Sequence, residues 1–287
     1  MIRKAVIRVG GHQVEMVADG VAAYDVADVF LDVEPALLGT LLEGRLNPDG
    51  SLPVPYNPLL VRTADGPILL DAGAGEELAA EWGAAIGRTE ACLAAAGLTP
   101  DEIALVLITH AHADHIGGLT AVRDGVRVPR YPNARHVMSA IEWDYWLEPG
   151  PAPAADAYLA AIARLHLPPL REAGLLELTD GAVEVAPGVR IVPAPGHTPG
   201  HVAIEIEFGA AQLLALGDAV FHEWDFAHPD WTTGMDADPA QTVATRRRLL
   251  DRAARRRSLI HGFHLAGLGH VERAGAAYRF VGVEPGG

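Results

Sequence analysis

The chain has 287 residues, 49% of them hydrophobic, which is enough apolar surface for a substantial core in one large or two small domains. Its formal charge of −15 disfavours broad binding to nucleic acid, and no run of eighteen uncharged apolar residues indicates a membrane span. With no signal-like segment at its start and a single cysteine, Cys92, the sequence predicts a soluble cytoplasmic protein.

The predicted elements alternate between strands and helices along the chain. Residues 32–58 show no clear pattern, and we interpret them as an N-terminal excursion over a site or an oligomer interface. Two apolar runs around Asp65 and Gly66 predict a hairpin whose second strand ends at Asp71. A helix over 76–97 and a buried strand over 103–108 follow.

The second half of the chain continues this alternation. Residues 147–158 predict an exposed loop, and further strands are predicted at 189–194, 202–208, 212–216 and 258–260. Between the last two lies a helix rich in arginine, whose apolar stripe includes Leu249 and Leu250 and whose arginines we expect to face solvent. Residues 1–287 are therefore predicted to form one α/β domain.

The heptapeptide Thr-His-Ala-His-Ala-Asp-His, residues 109–115, directly follows the buried strand. In an extended segment alternate residues point the same way, so His110 and His112 can reach one ion while Asp114 and His115 face a neighbouring one. Any one histidine is better explained as a surface residue, but four ligand-type side chains in six positions are not.

Three later strands also run into potential ligands. His197 and His201 follow the first, Asp218 the second, and His261 and His264 the third. Ligand-bearing loops at one edge of a sheet are how open α/β folds build their sites.

The order of these motifs resembles the metallo-β-lactamase superfamily of metal-dependent hydrolases, and within it the branch of N-acyl-homoserine lactonases and methyl parathion hydrolase. The resemblance runs from Asn57 onward and implies an α/β fold, an αβ/βα sandwich of two packed mixed sheets with outer helices. It also implies two divalent ions, zinc foremost, with iron, manganese or cobalt open. It assigns His110, His112 and His197 to one ion, Asp114, His115 and His264 to the other, and Asp218 as the bridge.

Two positions depart from the branch. Here Leu265 and Ala266 lead straight to Gly267 where relatives of the parathion-hydrolase type often carry a Pro-Phe-Pro insertion, which leaves His261 as a rival to His264. Phe221 stands where homoserine lactonases tend to have tyrosine.

The implied chemistry is hydrolysis by a hydroxide that bridges the two ions, with Asp114 and Asp218 as catalytic residues. Two cations lower the pKa of a shared water from 15.7 toward roughly 7, and Asp114 can carry a proton to the leaving group. The sequence has three serines, none of them in a Gly-x-Ser-x-Gly elbow, and no phosphate-cradling loop.

Residues around the predicted centre have less specific signals. Asp71 and His201 are candidates to orient ligands, with an ordinary strand-end turn as the competing interpretation for Asp71. Phe221, His222, Trp224 and His228 are candidates for a substrate-pocket wall, although aromatic side chains there are equally expected in a core.

The leading function is cleavage of a lactone or carboxylic ester. Phosphotriester and thioester hydrolysis are the alternatives, and a non-catalytic binding protein on the same fold is a remote one. The expected partner is a small-molecule substrate, with neither nucleic acid nor membrane, and a homodimer stays open. Asp218 disfavours the commonest zinc β-lactamases, which carry cysteine there.

Overall fold

A computed structural model describes residues 6–31, 33–83, 85–148 and 157–283 of the chain. Within these residues the backbone forms eighteen strands and nine α-helices. The strands are β1 Val6–Val9, β2 His12–Met16, β3 Gly20–Tyr24, β4 Leu52–Tyr56, β5 Leu59–Thr63, β6 Gly66–Leu70, β7 Leu105–Leu107, β8 Thr120–Arg123, β9 Val126–Pro129, β10 Arg135–Ser139, β11 Leu176–Thr179, β12 Val183–Ala186, β13 Val189–Pro193, β14 Val202–Phe208, β15 Ala211–Ala215, β16 Leu259–His261, β17 Gly269–Ala274 and β18 Ala277–Gly282. The helices are α1 Val26–Val29, α2 Pro35–Leu42, α3 Gly75–Trp82, α4 Thr89–Ala95, α5 Ala113–Ile116, α6 Ala140–Leu147, α7 Ala157–His166, α8 Pro168–Glu172 and α9 Pro239–Arg256.

Fourteen of the strands form two seven-stranded mixed sheets. The first has the order β1-β2-β5-β6-β7-β10-β11 and the second the order β12-β13-β14-β15-β16-β17-β18. The central strands β6, β7 and β10 run parallel, as do β15 and β16. Both sheets are therefore mixed, as the family resemblance implied.

Period-two burial explains why the sheets stack in layers. In β7, Leu105 and Leu107 pack between the two sheets, while Val106 faces the opposite side, where α3, α4 and α6 cover the first sheet. In the second sheet, Leu214 faces Leu249 of α9. The order of layers is helices, sheet, sheet, helix, which confirms the predicted four-layer sandwich.

Two predictions about helices are wrong in part. The helix expected over 76–97 is two helices, because the chain adopts positive φ at Gly83 and Gly87 and α4 begins only at Thr89. Arg246 of α9 does not face solvent: it is fully buried and donates to the carbonyl oxygens of Ala219 and Pro229.

The N-terminal segment forms a small arm beside the first sheet. Strands β3 and β4 pair antiparallel, and α1 and α2 lie between them in the chain. Asp32 lies outside the described residues, as does the part of the predicted 147–158 loop from 149 to 156. In the described part of the chain, no helix has the length and apolar character needed to cross a bilayer.

Candidate metal centre

The candidate ligands come from the carboxyl ends of strands in both sheets. Residues 109–115 follow β7, His197 follows β13, Asp218 follows β15 and His264 follows β16. The Thr109 carbonyl accepts a hydrogen bond from the Val202 backbone N–H at 2.9 Å, which joins the two sheets at this edge. The cluster therefore lies where the sheets meet.

Local backbone geometry presents the ligands of the heptapeptide. His112 has extended φ and ψ and precedes the short helix α5, so that Asp114 and His115 occupy its first turn. Directly after it, a Cβ on Gly117 or Gly118 would lie 2.0 Å from the Ala74 carbonyl oxygen or 2.1 Å from that of Ala72. Only glycine lets this turn pack so closely against the loop after β6.

Asp218 lies at the centre of the cluster. Its Oδ2 atom is 3.0 Å from His264 Nε2, 3.4 Å from His197 Nε2 and 3.9 Å from His110 Nε2, and its Oδ1 atom is 3.3 Å from His115 Nε2. Four imidazoles from three loops thus surround one carboxylate. A carboxylate with two oxygens in such a position can bridge two ions.

The candidate ligand atoms form three groups, and the atoms within each group lie within 4.8 Å of one another. All of the residues that supply them are buried. One group lies on the first-ion side predicted from the sequence and another on the second-ion side. The groups are His110, His112 and His197; His110, His115 and Asp218; and Asp114, His115 and His264.

The cluster contains polar atoms that the described residues leave without hydrogen bonds. These buried atoms are His110 Nε2, His115 Nε2 and Asp218 Oδ1. Buried polar groups are nearly always satisfied, so unpaired lone pairs that converge on one point fit a bound cation. The donor set of imidazoles and carboxylates suits zinc and related divalent ions.

Burial and mutual charge set the protonation of the cluster. Burial, with the nearby imidazoles, lowers the pKa of His110 and His112 well below the usual histidine value. Burial alone would raise the pKa of Asp218, but the charges of His264 and His115 outweigh it and lower that pKa well below the usual range. At His115 and His197 the nearby carboxylates outweigh burial and raise the pKa. His110 and His112 are thus neutral beside an ionised Asp218, and these are the forms that ligate metals.

Three candidate ligands donate through Nδ1 and so direct Nε2 toward the cluster. His115 donates to Asp71 at 2.8 Å, His197 to Asp236 at 3.0 Å, and His264 to the Pro55 carbonyl oxygen at 3.1 Å. A hydrogen bond at one ring nitrogen fixes the tautomer and leaves the other as the ligand.

Asp71, His201 and His261 occupy different positions around the cluster. Asp71 accepts from His115 and from Thr109, both buried beside it. His201 Nδ1 donates to the Ala194 carbonyl at 3.0 Å and its Nε2 accepts from the Asp218 backbone N–H at 3.0 Å. His261 Nε2 donates to the Asn57 carbonyl at 2.8 Å, so this ring nitrogen is bound to a backbone oxygen and not to a cluster atom.

Two residues that sequence reasoning missed hold the ligand loops. The fully buried Glu142 of α6 accepts from the Ala111 backbone N–H at 2.8 Å and from Thr198 Oγ1 at 2.7 Å, which ties the heptapeptide to the His197 loop. Asp236 accepts a hydrogen bond from His197 Nδ1. Neither carboxylate lies in a motif, so the sequence offered no signal for them.

The four predicted pocket residues lie in three different places. The Phe221 ring lies 4.3 Å from the His264 ring, directly beside the cluster. His222 stacks on Trp224 at 4.3 Å, and the Arg45 guanidinium lies 5.1 Å from the Trp224 ring, at the edge of the arm. His228 stacks on Trp231 at 4.1 Å instead.

The arm also brings two tyrosines to the cluster. The hydroxyls of Tyr24 and Tyr56 are hydrogen-bonded at 2.7 Å. Burial and then the charge of Asp114 raise the pKa of both phenols well above the usual tyrosine value. Both tyrosines lie outside the sequence motifs, so no local pattern indicated their place in the site.

Comparison with known proteins adds an independent finding. A sequence profile described as the Metallo-beta-lactamase superfamily matches residues 52–261 of the chain. N-acyl homoserine lactonase AiiA of Bacillus thuringiensis subsp. kurstaki is 26% identical over 216 residues, which cover 69% of this chain and 77% of that protein.

Two solved structures resemble the whole chain. AidC, described as a dizinc quorum-quenching lactonase, has a TM-score of 0.86 at 24% identity and covers 97% of both chains. The hydrolase AbOPH, described as belonging to the beta lactamase superfamily, has a TM-score of 0.86 at 24% identity and covers 99% of this chain and 98% of its own. At this identity the likeness establishes the fold.

Proposed function

The chain belongs to the metallo-beta-lactamase superfamily of metal-dependent hydrolases, and on that premise we propose that it cleaves a lactone or carboxylic ester with two divalent cations bound. The observation that carries the proposal is the convergence of buried imidazoles and carboxylates on Asp218, with lone pairs unpaired among the described residues. The choice of lactone or ester is supported by curated relatives that are N-acyl homoserine lactonases.

We assign the cations to two sets of side chains that share Asp218. His110, His112 and His197 hold the first, and Asp114, His115 and His264 hold the second. The assignment is supported by two of the three buried groups of ligand atoms. We name zinc as the cation because histidine nitrogen and carboxylate oxygen are its usual ligands, although iron, manganese or cobalt also suit them.

The bound cations would supply hydroxide at neutral pH by lowering the pKa of water toward roughly 7. The protein's own contribution is to hold the reacting groups in place and to move one proton. Asp114 is buried, and its Oδ2 atom lies 3.5 Å from His264 Nε2. Burial raises the pKa of Asp114, which suits a carboxyl whose non-ligating oxygen takes the remaining proton of the attacking hydroxide and passes it to the leaving alkoxide.

Hydrogen bonds from the surrounding protein hold the candidate ligands in a defined orientation. The Nδ1 hydrogen bonds of His115, His197 and His264 hold the three rings in place. The hydrogen bonds of Glu142 keep the heptapeptide and the His197 loop at a constant separation. Such pre-organisation removes the cost of assembling the site during the reaction.

The test combines metal analysis with a substrate panel. We expect about two ions per purified chain, and turnover of lactones or aryl esters that chelator abolishes and added zinc restores. Asp218→Asn should lose metal and activity together, whereas Asp230→Asn, an exposed aspartate paired with Arg247, should keep both.

Each other outcome contradicts a different part of the proposal. Bound metal with turnover only of phosphotriesters or thioesters would overturn the substrate class. Bound metal with no turnover of any of the four classes would overturn the hydrolase assignment in favour of a binding protein. Absence of metal under all loading conditions would overturn the metal centre itself.

A further inference from the structure

Two tyrosines from neighbouring strands meet over the candidate centre. Tyr24 ends β3 and Tyr56 ends β4 at opposite ends of the pairing between these strands. Tyr56 is fully buried, whereas Tyr24 is half-buried, and their hydroxyls lie 2.7 Å apart. When Tyr56 donates to the Tyr24 oxygen, the Tyr24 proton stays available to a third group.

Ring contacts place this pair against the cluster. The Tyr56 ring lies 5.4 Å from the ring of His264, and the Tyr24 ring lies 5.8 Å from that of Phe221. Phe221 in turn lies 4.3 Å from His264. Tyr56 therefore contacts His264 directly and Tyr24 reaches it through one ring, and His264 Nε2 lies 3.0 Å from Asp218.

The same two tyrosines line a cavity of about 390 Å³. Besides Tyr24 and Tyr56, its lining includes the apolar side chains of Ala22, Ile86 and Trp82. Trp82 is 41% exposed, so one side of this cavity borders solvent. The cavity thus combines apolar walls with two hydroxyl groups, which is the usual composition of a small-molecule site.

Cavity, hydroxyl and cluster together fit the acyl half of an ester, which is an apolar chain that ends in a carbonyl group. We propose that the cavity holds the apolar acyl group of the substrate and that the Tyr24 hydroxyl donates a hydrogen bond to the substrate's carbonyl oxygen beside the cluster. This inference rests on the proposed function, because it assigns a carbonyl and an acyl group to the molecule that is cleaved. Tyr56 is a positioning residue that directs the Tyr24 proton toward that carbonyl.

The hydroxyl is tested by Tyr24→Phe, which keeps the ring. We expect kcat/KM to fall about 100-fold for every active ester, because a donor aimed at the developing oxyanion is lost. Bound metal should stay unchanged. Tyr278→Phe is the matched control, because the Tyr278 hydroxyl is also hydrogen-bonded to a side chain, that of Asp251, but lies in the second sheet.

The cavity is tested by Ala22→Phe with aryl esters of two to ten acyl carbons. Ala22 and Tyr24 are two residues apart in β3 and so share one face, and the added ring should therefore fill the cavity. We expect kcat/KM to fall about tenfold or more for esters with long acyl chains and to stay unchanged for the acetate ester. Octanoate binding to the metal-loaded protein is measured by tryptophan fluorescence. We expect octanoate to change the emission of the wild type but not that of Trp82→Phe.

The outcomes separate this inference from the proposed function. A wild type that hydrolyses no lactone or ester overturns the proposed function. An active wild type whose rate Tyr24→Phe leaves intact overturns the role of the hydroxyl. An unchanged acyl-length profile in Ala22→Phe, together with unchanged fluorescence on octanoate addition, overturns the assignment of the cavity. Thermal unfolding of each variant shows whether a loss reflects misfolding, and Ala22→Ile is then the smaller substitution to use.

Discussion

Asp71 holds His115 by a hydrogen bond of 2.8 Å from the imidazole Nδ1 to the carboxylate Oδ2. The same carboxylate accepts from the backbone N–H and the hydroxyl of Thr109, both at 2.8 Å. Asp71 has a φ of 59°, a left-handed conformation that aspartate and asparagine tolerate better than other side chains. One residue thus fixes both the turn after β6 and the ring of a candidate ligand.

Asp71→Asn is expected to weaken metal binding without unfolding the turn. Asparagine keeps the left-handed backbone but removes the charge that orients His115, so affinity for metal should fall about 10- to 100-fold. Competition with a chromogenic chelator measures this change. Asp124→Asn is the matched control, because Asp124 has a φ of 53° in the exposed turn after β8. Equal metal affinity in both variants would contradict a role of Asp71 in metal binding.

The late ligand is decided by comparing His264→Ala with His261→Ala. His264 Nε2 lies 3.0 Å from Asp218 Oδ2, whereas His261 Nε2 donates to the Asn57 carbonyl. We expect His264→Ala to lower the metal content by about one ion per chain and to abolish turnover. His261→Ala should retain both ions and lose stability, about 1–3 kcal/mol for the unsatisfied carbonyl. Elemental analysis that gives the reverse pattern would make His261 the ligand.

The sequence predicted best those features that are local in the chain. A continuous apolar run predicted the buried strand that contains Leu105 and Leu107, and Asp65 and Gly66 turn the hairpin between β5 and β6. The candidate ligands could also be recognised from the sequence, because each follows an apolar strand within a short motif. Period and motif spacing are properties of neighbouring residues, so no tertiary contact is needed to recognise them.

The features that escaped prediction depend on contacts between distant residues. Glu142 joins loops that lie 31 and 56 residues away from it. Arg246 belongs to a helix rich in exposed arginines, and only packing against the 219–231 segment reveals that it is buried. Tyr24 reaches the cluster because β3 pairs with β4 in the arm. A single sequence does not encode such pairings in any local pattern.

Arg246→Met is expected to destabilise the protein strongly. The guanidinium is fully buried, donates to backbone carbonyls of the segment after Asp218, and lies 3.4 Å from the buried carboxylate of Asp225. Its loss leaves Asp225 without its cationic partner, which costs about 3–5 kcal/mol. Urea unfolding measures the change. Arg255→Met, on the exposed face of the same helix, should change the free energy of unfolding by less than about 0.5 kcal/mol. Similar values for the two variants would contradict the buried role.

The stability of the protein should depend on pH through His166, which is buried in α7. Its Nδ1 atom lies 2.8 Å from Thr120 Oγ1, and that oxygen accepts a hydrogen bond from Arg127 at 2.9 Å. When His166 carries its proton on Nε2, Thr120 donates to Nδ1. Burial, followed by the charge of Arg127, lowers the pKa of His166 to about 4.

The sign of the effect follows from this lowered pKa. An unfolded chain takes up a proton on His166 below about pH 6.5, whereas the folded protein resists until about pH 4, so protonation favours unfolding as the pH falls. The loss should total about 3 kcal/mol at and below pH 4, and about 2 kcal/mol by pH 5. His166→Gln does not titrate, so its free energy of unfolding should approach or exceed that of the wild type as the pH is lowered from 7 to 5. Urea unfolding at both pH values measures the difference, and a constant gap between the two proteins would mean that His166 carries the same charge folded and unfolded.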